Sequence, residues 1–369
     1  MTHAIKLTGT LVAGFSGRVE PVVSPGQRKE TIGVRVADFP SCPMHLNRRN
    51  FLVQTSGALS GIAAGCATSR GSAPDSLIID THQHLWDTTR QNLPWLAGAP
   101  SILRRDYRTE EYRAATAGLN VRAVYMEVDV AEAELTSEAE FVLGLARGGQ
   151  TPTVAAVIGG RPDAPNFADY VKRFRADPRF KGLRRVLHTP ATPAGFCLRP
   201  AFASGVRLLG EVGRSFDLCM RATELMDGVK LTELCPGTRF VLDHCGNPDL
   251  KAFRAARPGE SRPRHTAVEW KRAIDAFARR PNVIGKISGI PASLSPGEGV
   301  EALAPVVNHC LDAFGPDRVV FGGDWPVCLI GATYQQWVTM LREIIAGRPT
   351  DQQRKLWSGN ARRHYTLGV

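Results

Sequence analysis

The segment Leu77-Ile78-Ile79-Asp80-Thr81-His82-Gln83-His84-Leu85-Trp86-Asp87 ends an apolar run in two imidazoles one residue apart. On an extended chain residues i and i+2 share a face, so His82 and His84 point toward one centre, where they could grip a metal ion or a polar substrate. Alone, such a pair fits a solvated loop or a satisfied core pair equally well. It gains weight from the polar residues that end later apolar runs: Arg184 and His188, Asp243 and His244, Lys286, and Asp324.

Strand parity sorts these residues. In Gly182-Leu183-Arg184-Arg185-Val186-Leu187-His188, Arg184 and His188 share a face and are assigned to the pocket, whereas Arg185 points away, toward a salt bridge with a packing helix. In Val241-Leu242-Asp243-His244-Cys245-Gly246-Asn247-Pro248, His244 could bind a metal or polarise a carbonyl with Asp243 orienting a neighbour, or it could simply cap the strand. Phe321-Gly322-Gly323-Asp324-Trp325-Pro326 carries a carboxylate after two glycines that let the backbone approach closely. Asp324 could take a proton from water as general base; the competing role, a helix N-cap, is weakened because Trp325-Pro326 defers the next helix. Lys286 shares a face with Ser288, and Tyr125 shares one with Glu127 and Asp129; Lys286 and Glu127 are candidate substrate contacts. Trp95 is another, in a loop of about 25 residues after the first strand, a length at which loops often wall an active site.

The elements that must hold these residues follow a repeating rhythm. Val/Ile/Leu-rich runs at 77–81, 121–128, 153–158, 182–188, 216–221, 239–244, 282–288 and 318–323 read as strands. Helices are predicted at 108–118, 134–147, 166–176, 201–214, 223–235, 266–280, 299–314 and 333–347, with a last one near 351–363. Trp270, Ala273, Ile274 and Phe277, at i, i+3, i+4 and i+7, make one buried stripe. Eight strand–helix units predict an α/β fold, a (β/α)8 TIM barrel, which would collect all the strand ends on one face. A doubly wound open sheet is the alternative, but it would usually carry a glycine-rich phosphate turn where His82-Gln83-His84 stands.

Composition excludes other classes. The formal charge of +11 suggests nucleic acid until it is divided: residues 1–73 hold eight basic against three acidic residues, and the other 296 carry 38 against 32, interspersed. No basic run sits on an aromatic platform, so the surface reads as solvated, with no nucleic-acid partner. The eight cysteines show no metal-binding spacing or small-domain framework. Residues 1–43 lack periodicity and are read as a leader upstream of the true start, Met44. Arg48-Arg49 before a weak apolar run resembles a twin-arginine export signal over 44–73, and Ala63-Ala64-Gly65-Cys66 resembles a lipoprotein box, with Cys66 as lipid anchor. The expected mature domain is 74–369, periplasmic or membrane-anchored.

From Ile79 to Leu367 the chain resembles the amidohydrolase-related superfamily. It is most similar to the lactonase group that includes fuconolactonases, rhamnonolactonases and pyrone-dicarboxylate lactonase. The resemblance runs through Asp80-Thr81-His82-Gln83-His84-Leu85-Trp86-Asp87, Pro94-Trp95-Leu96, Gly182-Leu183-Arg184, Asp243-His244-Cys245-Gly246-Asn247-Pro248, Lys286-Ile287-Ser288-Gly289, Gly323-Asp324-Trp325-Pro326-Val327 and Gly359-Asn360-Ala361. It implies a distorted barrel that opens a small, sugar-derived cyclic ester with water, an activity of carbohydrate catabolism. His82, His84 and His244 would hold the lactone carbonyl or, with Asp324, one divalent metal (zinc or manganese). Asp324 would activate water, and Arg184 would meet a substrate carboxylate or hydroxyl. The carboxylated lysine or further histidine of fully metal-dependent relatives has no clear counterpart, and some of the group work without metal. Metal-dependent decarboxylation and a non-catalytic sugar-binding barrel are the rival readings.

Overall fold

The computed structural model describes residues 76–369; the expected leader, the signal segment and Cys66 lie outside them. Along the described residues run β1 (Ile78–Gln83), α1 (Thr109–Ala115), β2 (Val121–Met126), α2 (Leu135–Gly148), β3 (Thr153–Gly159), α3 (Phe167–Phe174), β4 (Phe180–Leu187) and α4 (Pro200–Glu211). They are followed by β5 (Ser215–Met220), α5 (Leu225–Leu234), β6 (Arg239–Leu242), α6 (Ala267–Ala278), β7 (Val283–Ile287), α7 (Val300–Phe314), β8 (Val319–Phe321) and α8 (Tyr334–Ile344). Neighbouring strands pair in parallel in the order β1 to β8, giving the expected TIM barrel.

Alternation along each strand builds two apolar layers. Ile79, Val124, Met126, Ala155, Val157, Val241, Ile284 and Val320 form one cluster, lining the barrel interior. Phe216, Leu218, Met220, Phe240 and Leu242 belong to the larger layer under the helices. The predicted stripe of α6 is buried there, and its start is set by Thr266, whose Oγ1 accepts the Glu269 N–H at 3.1 Å while the Glu269 carboxylate accepts the Thr266 N–H at 2.8 Å.

The structure departs from the expected boundaries where strands approach the site. β6 ends at Leu242, two residues early, because His244 (φ 55°) and Cys245 (φ 52°) turn left-handed. β2 ends at Met126 and β8 at Phe321. The single helix expected over 351–363 is three pieces, α9 (Thr350–Arg354), a π turn (Lys355–Gly359) and α10 (Asn360–His364). The π turn seats the Trp357 ring 4.7 Å from Phe321, and beyond it Ala361 and Tyr365 join the interior cluster and plug the lower end of the barrel.

The barrel closes without a β8–β1 ladder. Instead the Asp324 N–H donates to the His82 carbonyl (2.8 Å), the His84 N–H to the Trp325 carbonyl (2.8 Å), and Thr81 Oγ1 to the Phe321 carbonyl (2.7 Å). The β1–β2 register shifts between Asp80 and Gln83. That bulge re-aims the strand so that Ile79 and then His82 face inward.

Candidate active site

The seam puts β1 and β8 close enough for their side chains to touch. Gly322 and Gly323 make this feasible. A Cβ on Gly322 would lie 2.8 Å from the His82 Cβ, and one on Gly323 would lie 2.3 Å from the Tyr334 ring and 2.5 Å from Asp80 Oδ2. Asp80 locks the seam from behind: Oδ1 accepts the N–H of His82 (2.9 Å) and of Gly323 (2.7 Å), and Oδ2 accepts the Tyr112 hydroxyl (2.8 Å). Burial pushes its carboxyl up against these bonds.

Asp324 consequently faces both histidines, Oδ1 lying 3.4 Å from His84 Nε2 and 3.6 Å from His82 Nε2. The His84 tautomer follows from its other nitrogen, because Nδ1, 2.9 Å from the Met126 carbonyl, must carry the proton. The ring is thereby turned so that Nε2 faces the carboxylate. In His82, Nδ1 lies 3.3 Å from Lys286 Nζ and 3.5 Å from Asp243 Oδ1, and Nε2 faces Asp324 and Arg184 Nη1 (3.3 Å). Burial drives the His82 imidazole well below its usual range and lowers that of His244, keeping both neutral. The His244 ring, 4.3 Å from that of His82, is fixed by Ser288 Oγ at 3.0 Å from Nδ1.

Beneath the imidazoles lies a buried charge network. The Lys286 ammonium, 0% exposed, bonds Asp217 (2.8 Å) and Asp243 (2.9 Å). Burial opposes its charge, but the two carboxylates raise its pKa overall; burial alone would raise Asp243, yet Lys286 and His82 hold it well below the carboxylate range. Asp217 is pushed up to about 6 by burial, against the pull of Lys286. Arg184 Nε meets Glu127 Oε1 at 2.6 Å, and Nη2 donates to the Glu127 carbonyl at 2.7 Å.

A cavity of about 330 Å³ opens above this network, lined by His84, Trp95, Arg184, His188, His244 and Asp324 among others. The long β1–α1 loop forms its wall. Trp95 Nε1 donates to the Val128 carbonyl at 2.7 Å, and the Trp95 ring meets Trp86 edge-on at 5.5 Å, with Tyr107 and Trp325 continuing the aromatic chain. His188 lines the cavity, and burial lowers it to about 4, so it is neutral there.

Other expected contacts stand elsewhere. Lys286 sits below the cavity under His82, because two carboxylates draw its ammonium into the barrel. Glu127 lies behind Arg184, whose guanidinium it engages, and Arg184 reaches the cavity with Nε and Nη2 already bonded. Tyr125 and Glu127 engage different partners. The Glu127 and Glu138 carboxylates both lie near Gly159, where a Cβ would meet Oε2 of each at 3.3 Å, but their partners differ: the Tyr125 hydroxyl bonds Glu138 (2.9 Å) while Glu127 pairs with Arg184. Arg185 pairs with Asp163, as its parity required, although Asp163 lies in a loop before α3. Asp80, Asp217 and Glu138 are additions. Ser215, Asp217 and Cys219 alternate along β5, so parity marks Asp217 as inward-facing. Glu138 sits on the α2 stripe with Leu135, Ala139 and Val142 and is 3% exposed.

The donor set suits a divalent cation. Ligand atoms of His82, His244 and Asp324 lie within 4.8 Å of one another, all buried; His84 reaches Asp324 but is not one of these three. Nitrogen and oxygen donors in this number match zinc or manganese. The surrounding charges are acid-heavy as well, with Arg184 and Lys286 set against Glu127, Asp217, Asp243 and Asp324. Cys219, Asp243 and His244 also converge, but Asp243 already holds Lys286 and burial pushes the Cys219 thiol up to about 12, which leaves it protonated.

Comparison with known proteins agrees with this architecture. An L-fucono-1,5-lactonase of Burkholderia multivorans is 29% identical over 299 residues, covering 79% of this chain and 97% of that protein. An L-rhamnono-gamma-lactonase of Scheffersomyces stipitis is 25% identical over 185 residues, 46% of this chain and 54% of that one. A crystal structure of an amidohydrolase from Burkholderia multivorans with bound zinc superposes with a TM-score of 0.68 at 28% identity, covering 79% of this chain and 99% of that one. The match to the amidohydrolase family extends over residues 79–367, from β1 to the plug beneath the barrel, and the chain belongs to that family.

Proposed function

We propose that the protein opens a small, sugar-derived lactone with water. The observation that carries this reading is the Asp324 carboxylate, which lines a small-molecule cavity 3.4 Å and 3.6 Å from the Nε2 atoms of two buried imidazoles, His84 and His82. Two lactonases among its relatives support the ring-opening chemistry.

In this mechanism Asp324 takes a proton from water as that water attacks the ester carbonyl, and later returns it to the ring oxygen as the C–O bond breaks. His82 and His244, kept neutral by burial, orient the carbonyl; Asp243 and Ser288 fix their rings from behind. Arg184 and Lys286 hold the carboxylates beneath the site in place, and the Trp86–Trp95 wall excludes bulk water from the reacting face. A zinc or manganese ion held by His82, His244 and Asp324 would supply Lewis acidity, lowering the pKa of water and polarising the carbonyl.

The test is a pH-indicator assay of purified protein on an aldonolactone panel, with and without added zinc or manganese. Acid release from at least one lactone is expected. Failure on every lactone in both conditions would refute the reading, and carbon dioxide release from aromatic acids instead would mark a decarboxylase.

A further inference from the structure

Left-handed backbone is concentrated at this cavity. Among the described residues the non-glycine positions with positive φ are Asp129, His244, Cys245, Asn247, Asp324 and Thr366, and four of them line the one cavity: Asp129 (49°), His244 (55°), Asn247 (52°) and Asp324 (52°). Non-glycine residues adopt this conformation only where the surroundings enforce it, and such positions gather at ligand sites. His244 and Asp324 already belong to the reacting cluster. Asn247 is accounted for by its turn, since its amide donates to the Met220 carbonyl at 2.9 Å. Asp129 differs in that its turn uses only its backbone N–H and leaves its side chain without a hydrogen bond among the described residues.

Asp129 follows β2 beside the Trp95 wall, and its N–H donates to Glu127 Oε2 at 2.7 Å. That bond ties the residue to the Glu127–Arg184 pair and fixes the direction of its carboxylate. Arg161 lies 3.6 Å from Oδ1, too long for a direct hydrogen bond, and Arg184 and Arg185 act on the carboxylate from further off. A carboxylate accepts through two oxygens and about four lone pairs, and Asp129, which lines the cavity, accepts no hydrogen bond from the described residues. Arg184, the one lysine or arginine in the lining, has Nε and Nη2 bonded to Glu127 and makes no hydrogen bond to Asp129. Such a wall repels anions and accepts hydrogen bonds from hydroxyls.

We propose that Asp129 is a specificity-determining residue that accepts a hydrogen bond from a ring hydroxyl of the lactone, selecting neutral, hydroxylated rings over bare ones. The assignment rests on the lactonase reading and extends it from reaction to substrate class. A site built to bond a hydroxyl disfavours the analogue that lacks it, because the half-buried acceptor, its side chain 29% exposed, is then left to water alone.

The experiment compares the wild-type protein with Asp129→Asn, a replacement that tolerates left-handed backbone and so preserves the turn. Binding is read by quenching of the Trp86 and Trp95 fluorescence, with hydroxylated γ- and δ-aldonolactones against γ-butyrolactone and δ-valerolactone. Expected is a wild-type preference for at least one hydroxylated ring that falls roughly 10- to 100-fold in the variant, the usual effect of losing a hydrogen bond to a charged group. A preference unchanged by the substitution, or no preference in the wild type, overturns the assignment. Turnover is followed in parallel. Hydroxyl-selective binding without ring opening would count against the lactonase reading alone, whereas ring opening without selectivity would count against Asp129 alone.

Discussion

The two ends of the barrel differ in a way that cavity size does not reveal. The lower end holds the larger cavity, about 650 Å³, between Arg122, Arg179, Lys181 and the C-terminal residues. Its basic groups are occupied with carbonyls: Arg122 bonds that of Val121, Arg179 that of Ala146 and Lys181 that of Thr366. The upper cavity is half that volume, about 330 Å³, but beneath it lie buried ions, neutral imidazoles and left-handed turns. The lesson is one of stored free energy. A lysine between two buried carboxylates persists only where surrounding structure enforces it, and it lies beneath the mouth; of the left-handed non-glycine residues near φ 50°, four line the upper cavity and one, Thr366, the lower.

The largest effect is expected at the mouth itself. His244→Ala should lower kcat/KM on an opened lactone by roughly 10²–10⁴-fold without changing the far-ultraviolet circular dichroism, since the imidazole orients the reacting carbonyl. A loss under tenfold would remove His244 from the reacting group. Next, Lys286→Met should destabilise the fold by about 3–5 kcal/mol, because it strands Asp217 and Asp243 in the barrel. In calorimetry that is a fall in Tm of about 10 °C. An unchanged Tm would mean the buried ions are not coupled to folding.

Glu138 sharpens the comparison by pH. Burial, then the neighbouring Glu127, pushes its carboxyl from 4.5 up to about 8, and its Oε2 has no partner. A carboxyl with a raised folded pKa is most stable below its unfolded pKa, and that contribution is lost as pH rises through the folded value. Glu138→Gln mimics the protonated form and keeps an acceptor for the Val128 N–H and the Tyr125 hydroxyl. It should raise Tm by a few degrees near pH 9 and leave it nearly unchanged near pH 5. A shift independent of pH would show that Glu138 is already ionised. The smallest effect belongs to the lower end, where Arg122→Gln should change both kcat and stability by less than about 0.5 kcal/mol; a loss of activity there would overturn the distinction between the two ends.

Most of the architecture was legible because the barrel repeats one rule, an apolar strand followed by an amphipathic helix. His82, His84, Arg184, His244 and Asp324 were legible because a parallel barrel gathers strand ends on one face. Lys286 and Glu127 show where that rule fails. Parity reports which face a residue takes, but not its depth, and their charges draw them under the cavity floor. The bulge between Asp80 and Gln83 and the left-handed turn at His244 arise from long-range bonds across the seam and left no local signal. Asp217 and Glu138 did leave one, as acids at inward positions of an otherwise apolar strand and helix stripe.

The most direct test of the central claim is the steady-state rate of lactone opening by the wild-type protein and Asp324→Asn side by side. Asparagine preserves the size of the side chain but cannot take a proton from water. A fall of about 10³-fold in kcat with an unchanged melting temperature is the predicted result. A variant that opens the same lactone at the wild-type rate would contradict the claim that water is activated at the seam between β1 and β8.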